Sequence, residues 1–327
     1  MNKGKIVIIG AGISGMATAA FLKLRGLDVL VIEEASKPGG KMISLSANEY
    51  TVDLGPNSGL ETSPHIKTLV DYAGLGNEFI YSNPAAAKRY IFRNGNLHCL
   101  APSPAIMLKT KLFSFRGKLR ILKEPFVGKS DDGWYQSIAD FVRRRLGEEF
   151  LDYAIDPFIS GVFAGDPEKL SVKSAFPKLY RLEEVYGGLI KGMIKGARER
   201  KKSGETSKQH AKMFSFINGM QSLPLALHQK LNNSVLLDTS VKRITKDSDK
   251  YIIQTVSGLG ESAVIAADCV ISTIPAYSLS NIIGFGESSI IERLKAVYYP
   301  PVKVSYLGFN TSDLGIKPDG FGFLIPS

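Results

Sequence analysis

Short apolar runs and longer amphipathic stretches alternate along the first part of the chain. Lys5–Ile9 is apolar after its first residue, Met16–Leu24 has helical composition, and Val29–Ile32 is a second apolar run. Strand, helix and strand in that order predict a βαβ unit whose helix ends at Gly26. From Tyr81 to about Lys212 this rhythm gives way to helix-forming segments, apolar loops and basic residues. It then resumes, with a helix expected over 218–231, strands over 234–244 and 251–256, and a buried strand within 266–276. The alternation of VKVSYLGF (302–309) predicts one more strand.

The turn between the first strand and helix reads Gly10-Ala11-Gly12-Ile13-Ser14-Gly15. Gly10 suits a tight turn, Gly12 lets a pyrophosphate reach the helix N-terminus, and Gly15 allows the helix to pack closely on the strand. Glu33 stands at the end of the second strand, where a carboxylate accepts ribose hydroxyls. The spacing predicts a dinucleotide site, and an acid there favours FAD or NAD over a 2′-phosphorylated cofactor. Two further bare stretches favour FAD. These are Gly39-Gly40-Lys41, with a cation after a glycine pair, and Gly55-Pro56-Asn57-Ser58, following a strand-like segment. Each gives backbone a further approach to a cofactor.

Composition changes the picture mainly through charge. The hydrophobic fraction of 44% and charged fraction of 22% are ordinary for a globular protein. The net +10 is localised: residues 81–210 hold 24 Lys+Arg against 14 Asp+Glu, and the remainder holds 17 of each. Within 100–129, seven cations face one Glu and are interleaved with Ile106, Met107, Leu108, Leu112, Phe113, Phe115, Leu119, Ile121 and Leu122. That mixture fits a membrane interface as well as an ordinary amphipathic helix packed on its own core. Nucleic acid is not expected, because the cations alternate with aliphatics more than with aromatics. Arg143-Arg144-Arg145 reads as a solvated face, and 196–210 as an exposed linker. Cys99 and Cys269 lie far apart, so neither a disulfide framework nor a metal site is expected. His65, His98, His210 and His228 are scattered with no Ser/His/Asp spacing, which weighs against a hydrolase. No signal pattern precedes the first strand and no apolar run approaches ~20 residues, so the expected location is cytoplasmic, peripheral to a membrane.

The stretch SGVFAGDPEKLS (160–171) has neither helical nor strand periodicity and reads as a bare loop admitting something flat. It also carries a resemblance. With the GxGxxG turn, the Glu33-to-Lys41 spacing and the Gly-Pro turn, the chain resembles the flavin-containing amine oxidase superfamily. Within it, LGPNS (54–58), 84–102, FVRRRLGEEF (141–150), 160–179, GGLIKGM (187–193), FINGMQSLPLAL (216–227), VISTIPA (270–276) and DGFGFLIP (319–326) are similar to the protoporphyrinogen oxidase family.

The resemblance implies FAD contacts from Gly10 to Gly15, Glu33, Gly40, Lys41 and Gly55 to Ser58, with Val241 on the adenine side. It implies Arg89 as the anchor for a substrate propionate, with Gly161 and Leu324 lining the two faces of a tetrapyrrole cavity; the bareness of Gly322, beside Leu324, suits a further wall. No side chain is expected as catalyst, because the flavin carries the chemistry. The expected reaction is oxidation of protoporphyrinogen IX by O2 with release of H2O2. Coproporphyrinogen III oxidation, a carotenoid desaturase or amine oxidase, and a non-catalytic FAD-fold membrane or partner-binding module are the alternatives. The 160–179 stretch disfavours the desaturase and amine oxidase. A homodimer is an open expectation.

The resulting expectation is an α/β protein. A Rossmann-type FAD-binding domain occupies 1–80 and 213–295. A mainly helical, membrane-facing domain is inserted at 81–212, and a β-sheet substrate domain begins at 296–327. The family's C-terminal segment is expected to be lacking.

Overall fold

The computed structural model describes residues 4–84, 88–100, 109–130, 135–203, 211–315 and 319–327, with only the backbone described at 197–203 and 311. The chain divides into two compact units. One comprises Met1–Ser82, His210–Tyr299 and Val304–Tyr306; the other comprises Asn83–Gln209, Pro300–Lys303 and Leu307–Ser327.

In the first unit four parallel strands lie in the order Val235–Leu236, Val29–Ile32, Ile6–Ile9, Cys269–Ser272. Runs of Val and Ile form the two central strands because both of their faces are covered. On one face Ile8, Val29 and Val31 pack with Met16, Ala19 and Ala20 of the helix Ile13–Leu24 and with Leu223, Leu227 and Leu231 of the helix Ser222–Leu231. Val7, Ile9 and Ile32 point the other way. They meet Ile244, Ile253 and Ala267 from an antiparallel sheet of Thr239–Asp247, Lys250–Ser257 and Ser262–Ala267. The βαβ unit and the later helix thus form close to where the pattern predicts them, and Gly26 adopts the expected left-handed conformation after the first helix. The strand expected to be buried within 266–276 is reduced to Cys269–Ser272 and half-exposed, because it lies at the sheet edge. The predicted strand over 302–309 does not form. The segment is irregular and exposed, since no described strand runs beside it to complete a ladder.

The second unit combines a small sheet with helices. Lys88–Arg93 runs between the terminal strand Gly320–Leu324, parallel to it, and the antiparallel Asn96–Cys99. The helices Ile138–Arg145, Asp156–Phe163, Pro177–Tyr186 and Leu189–Ser203 gather around Ile138, Phe141, Ile159 and Leu189. The expected loop at 160–171 begins as helix: Ser160 to Phe163 continue the helix from Asp156, and the chain turns at Ala164 with φ 48°. A π-helical turn, Leu151–Ile155, precedes this helix, and Pro157 falls in its first turn, where a missing N–H is tolerated. The expected linker is helical to Ser203, and its remainder, 204–210, lies outside the described residues.

The arginine run is not a solvated face. Arg145 is fully buried, donating to Glu124 Oε1 at 2.7 Å and to Glu183, with Nη2 on the Gly187 carbonyl at 3.1 Å. Glu124, also fully buried, accepts the amides of Leu189 and Ile190 at 2.7 and 3.0 Å, capping the last helix from outside it. Among the described residues no helix is long and apolar enough to cross a membrane.

Candidate functional sites, one in each unit

In the first unit the three glycine segments converge. Gly10 turns with φ 99°, and a Cβ on Gly15 would stand 2.0 Å from the Gly10 carbonyl oxygen, so helix and strand approach as the motif requires. Gly12 and Gly39 form an isolated bridge, the Gly39 amide donates to the Ala11 carbonyl at 2.9 Å, and Gly40 lies against the Gly12 backbone. Gly55 presses on the Lys41 carbonyl, where a Cβ would come within 1.9 Å. Gly12 is the N-cap of the helix Ile13–Leu24, and no side chain caps that end. Ile13 is half-buried behind it and Ser14 exposed, its carbonyl accepting Thr18 Oγ1 at 2.7 Å.

Glu33 reaches the mouth of the turn. Its Oε2 accepts the Ala11 amide at 2.6 Å and its Oε1 the Ala35 amide at 3.0 Å. Beside it a cavity of about 150 Å³ is lined by Gly10, Glu33, Thr239, Val241, Pro275 and Ser278 among others. Pro56 and Asn57 are exposed and Ser58 half-buried, with the Asn57 carbonyl accepting Ser215 Oγ at 3.0 Å.

Sequence reasoning missed the support behind these turns. The buried Asp53 carboxylate accepts the Met220 amide at 2.9 Å and Ser44 Oγ at 2.5 Å. Ser44 and Gln221 exchange hydrogen bonds of 2.9 and 3.0 Å. That network ties the segment after Gly40 to the helix Ser222–Leu231. Its partners are some 170 positions apart in sequence, so no local signal marks them.

An uncapped helix N-terminus, bare glycine backbone around it, a carboxylate at its mouth and a cavity beyond fit a dinucleotide with its pyrophosphate at the helix and a ribose at Glu33.

In the second unit Arg89, Gly322 and Leu324 are brought to one small sheet. Gly322 pairs with Arg89 and Leu324 with Ile91, which is fully buried. Gly161 meets this sheet from the helix Asp156–Phe163: a Cβ on it would stand 2.5 Å from Leu324 Cδ2. The bare position at Gly161 is therefore filled by Leu324, so the two touch each other instead of forming separate walls. Gly322 is open, with nothing within 4 Å of where a Cβ would stand. Arg89 is exposed, and among the described residues its guanidinium meets only the Phe321 ring, 5.4 Å from the guanidinium carbon. Asp319 is taken instead by Lys88 at 2.5 Å and by the Tyr90 hydroxyl at 3.0 Å, which hold its carboxyl below the usual carboxylate range. Ala85–Ala87, expected to flank Arg89, lie outside the described residues. Among the described residues no group of His, Cys, Asp and Glu could hold a metal.

This combination of a parallel sheet and a glycine cradle at a helix N-terminus defines a dinucleotide-binding protein. The chain belongs to the family of flavin containing amine oxidoreductases, whose model matches residues 13–322. It is 33% identical to protoporphyrinogen oxidase 2, chloroplastic/mitochondrial, of Arabidopsis thaliana over 99% of this chain and 68% of that one. It is 30% identical to the coproporphyrinogen III oxidase of Bacillus subtilis, over 99% of this chain and 71% of that one. A solved structure assigned as a protoporphyrinogen oxidase from Exiguobacterium sp. 255-15 shares the fold at TM-score 0.68 and 22% identity, over 90% of this chain and 64% of that chain. The chain thus spans about two thirds of these relatives. FAD is the cofactor its family defines, and the glycine cradle fits it.

Proposed function

We propose that the chain oxidises protoporphyrinogen IX to protoporphyrin IX, with O2 as electron acceptor and H2O2 released. The observation that carries this is the single-sheet placement of Arg89, Gly322 and Leu324: a guanidinium with no carboxylate partner among the described residues, an open backbone wall and an apolar side chain. Those are what a flat macrocycle with a carboxylate tail needs. The Arabidopsis thaliana relative supports the same substrate.

Bound FAD would supply the acceptor for hydride from the macrocycle carbon. The chain's own residues do the rest. Gly10 to Gly15 hold the pyrophosphate at the helix N-terminus, with Gly40, Lys41 and Gly55 to Ser58 as further backbone contacts. Glu33 accepts ribose hydroxyls, and Val241 faces the adenine. Arg89 holds a propionate by two N–H groups while Gly322 admits the ring. Gly161 acts through Leu324, which it allows to sit close. Replacing Arg89 with Ala should raise KM several-fold or more and leave the flavin absorbance spectrum unchanged. An unchanged KM would remove Arg89 from the site.

Coproporphyrinogen III is the second reading. The Bacillus subtilis relative favours it, with the same span of this chain.

The second unit also supports a peripheral membrane role. The helix Phe115–Leu122 and the turn after it leave Phe115 75% and Phe126 89% exposed, with Leu119 and Leu122 also bare. Arg116, Lys118 and Lys123 are interleaved with them. Apolar residues with cations beside them suit an anionic lipid surface. Ile106 to Leu108, counted in the same stretch, lie outside the described residues. Sedimentation with anionic vesicles tests this role.

A further inference from the structure

The terminal strand carries an irregularity beside Arg89. Gly320 pairs with Lys88, but the next partner, Arg89, faces Gly322, so Phe321 is the extra residue of a bulge. A bulge re-aims the side chain it carries, and here the Phe321 ring comes beneath the Arg89 guanidinium. The two flanking glycines make this conformation accessible. Gly322 has φ 155°, and a Cβ on Gly320 would stand 2.7 Å from the Tyr90 ring. Asp319 fixes the start of the strand through Lys88 and Tyr90. An arginine held by its face on an aromatic ring keeps its N–H fork free, whereas one held by a carboxylate does not. Arg93 and Arg144 also lie over rings, Tyr153 at 3.4 Å and Phe141 at 5.6 Å, but their forks are taken by Glu149 and Glu183, whereas among the described residues no carboxylate pairs with Arg89.

We propose that Phe321 is a positioning residue that holds the Arg89 guanidinium by its face, leaving its N–H groups for a substrate carboxylate. This rests on the reading of Arg89 as the propionate anchor. The Asp-Gly-Phe-Gly sequence, residues 319–322, then has one purpose: the carboxylate pins the strand, the glycines permit the bulge and the ring supports the cation.

The test is direct binding of protoporphyrin IX and of its dimethyl ester to the full chain, followed by porphyrin absorbance, with no turnover required. The wild type should prefer the free acid, and Arg89→Ala should remove that preference. Phe321→Leu, which keeps an apolar group but no ring face, should weaken the free acid about 2- to 5-fold, the value of an exposed cation–π contact, and leave the ester unchanged. Phe321→Tyr should bind as the wild type does. A wild type that binds neither compound, or both equally, overturns the anchor reading and this inference together. If Arg89→Ala removes the preference while Phe321→Leu keeps it, only the role of Phe321 falls. It falls too if Phe321→Leu weakens acid and ester alike, or if Phe321→Tyr is as weak as Phe321→Leu. Should the Leu variant lose its far-ultraviolet dichroism, Phe321→Met carries the same comparison.

Discussion

Lys88 and Tyr90 hold Asp319 by its carboxyl oxygens, and the effect of pH on that clamp has a definite sign. The hydrogen bond from Lys88, and then that from Tyr90, lowers the Asp319 pKa from the ordinary 3.8. The same contact with Asp319 raises that of Lys88 from 10.5. A depressed carboxyl contributes stability that is present above 3.8 and lost as pH falls through the lower folded value. A raised amine contributes stability that is present below 10.5 and lost as pH climbs through the higher one. The clamp should therefore be constant across neutral pH and release only in strong acid or base. Asp319→Asn should unfold at a lower Tm than the wild type, by an amount that stays constant across neutral pH and is lost in acid as pH falls through the depressed Asp319 value. A difference that peaks in acid would contradict this assignment. Glu33 teaches a related lesson. Its oxygens already accept the amides of Ala11 and Ala35, so the carboxylate is held at the turn by the chain itself. The Glu33 position was readable from spacing, because a strand of fixed rise delivers its last residue to the turn before it. Phe321 was not, because a bulge leaves no mark in hydrophobic periodicity.

The first amides of the helix Leu189–Ser203 are satisfied by Glu124 from another segment. Glu124, Arg145 and Glu183 form a buried network in which every charge has an opposite partner, and burial of Glu183 is outweighed by its two arginines, leaving its carboxyl below the usual range. Removing Glu124 leaves the buried Arg145 charge to Glu183 alone and strips the Leu189 and Ile190 amides of their acceptor, which costs about 3–5 kcal/mol. Glu124→Ala should lower the urea midpoint by a stability loss of that size, and a loss under ~1 kcal/mol would mean that the network relaxes without it. Nothing local announces this network, since Glu124, Arg145 and Glu183 are about twenty and forty positions apart. The triple arginine resembled a solvated face, and only tertiary partners decide that one member is buried. The βαβ unit is the opposite case: Ile6–Ile9, Gly10–Gly15 and Val29–Ile32 are contiguous, and local pattern and packing agree there. Between these limits lies Gly161. Its bareness was legible, but the helix around it and the Leu324 methyl that fills the space come from another segment.

At the scale of the whole molecule, the +10 charge belongs to the segment that builds most of the second unit, and the exposed apolar residues of Phe115–Leu122 lie in the same segment. If lipid is their partner, the wild type should sediment with phosphatidylserine-containing vesicles at low salt. Leu119→Asp with Phe126→Asp should reduce the bound fraction at least several-fold. Equal binding by the variant would place the membrane contact elsewhere. The central claim is the reaction itself. Its most direct measurement is porphyrin fluorescence and peroxide release in parallel, with the FAD-reconstituted chain offered protoporphyrinogen IX and coproporphyrinogen III. The account predicts porphyrin forming faster than without protein, peroxide rising in proportion, and protoporphyrinogen IX as the preferred substrate. A reversed preference would favour the second substrate reading. Flavin bound with neither porphyrinogen oxidised above the protein-free rate would contradict the account.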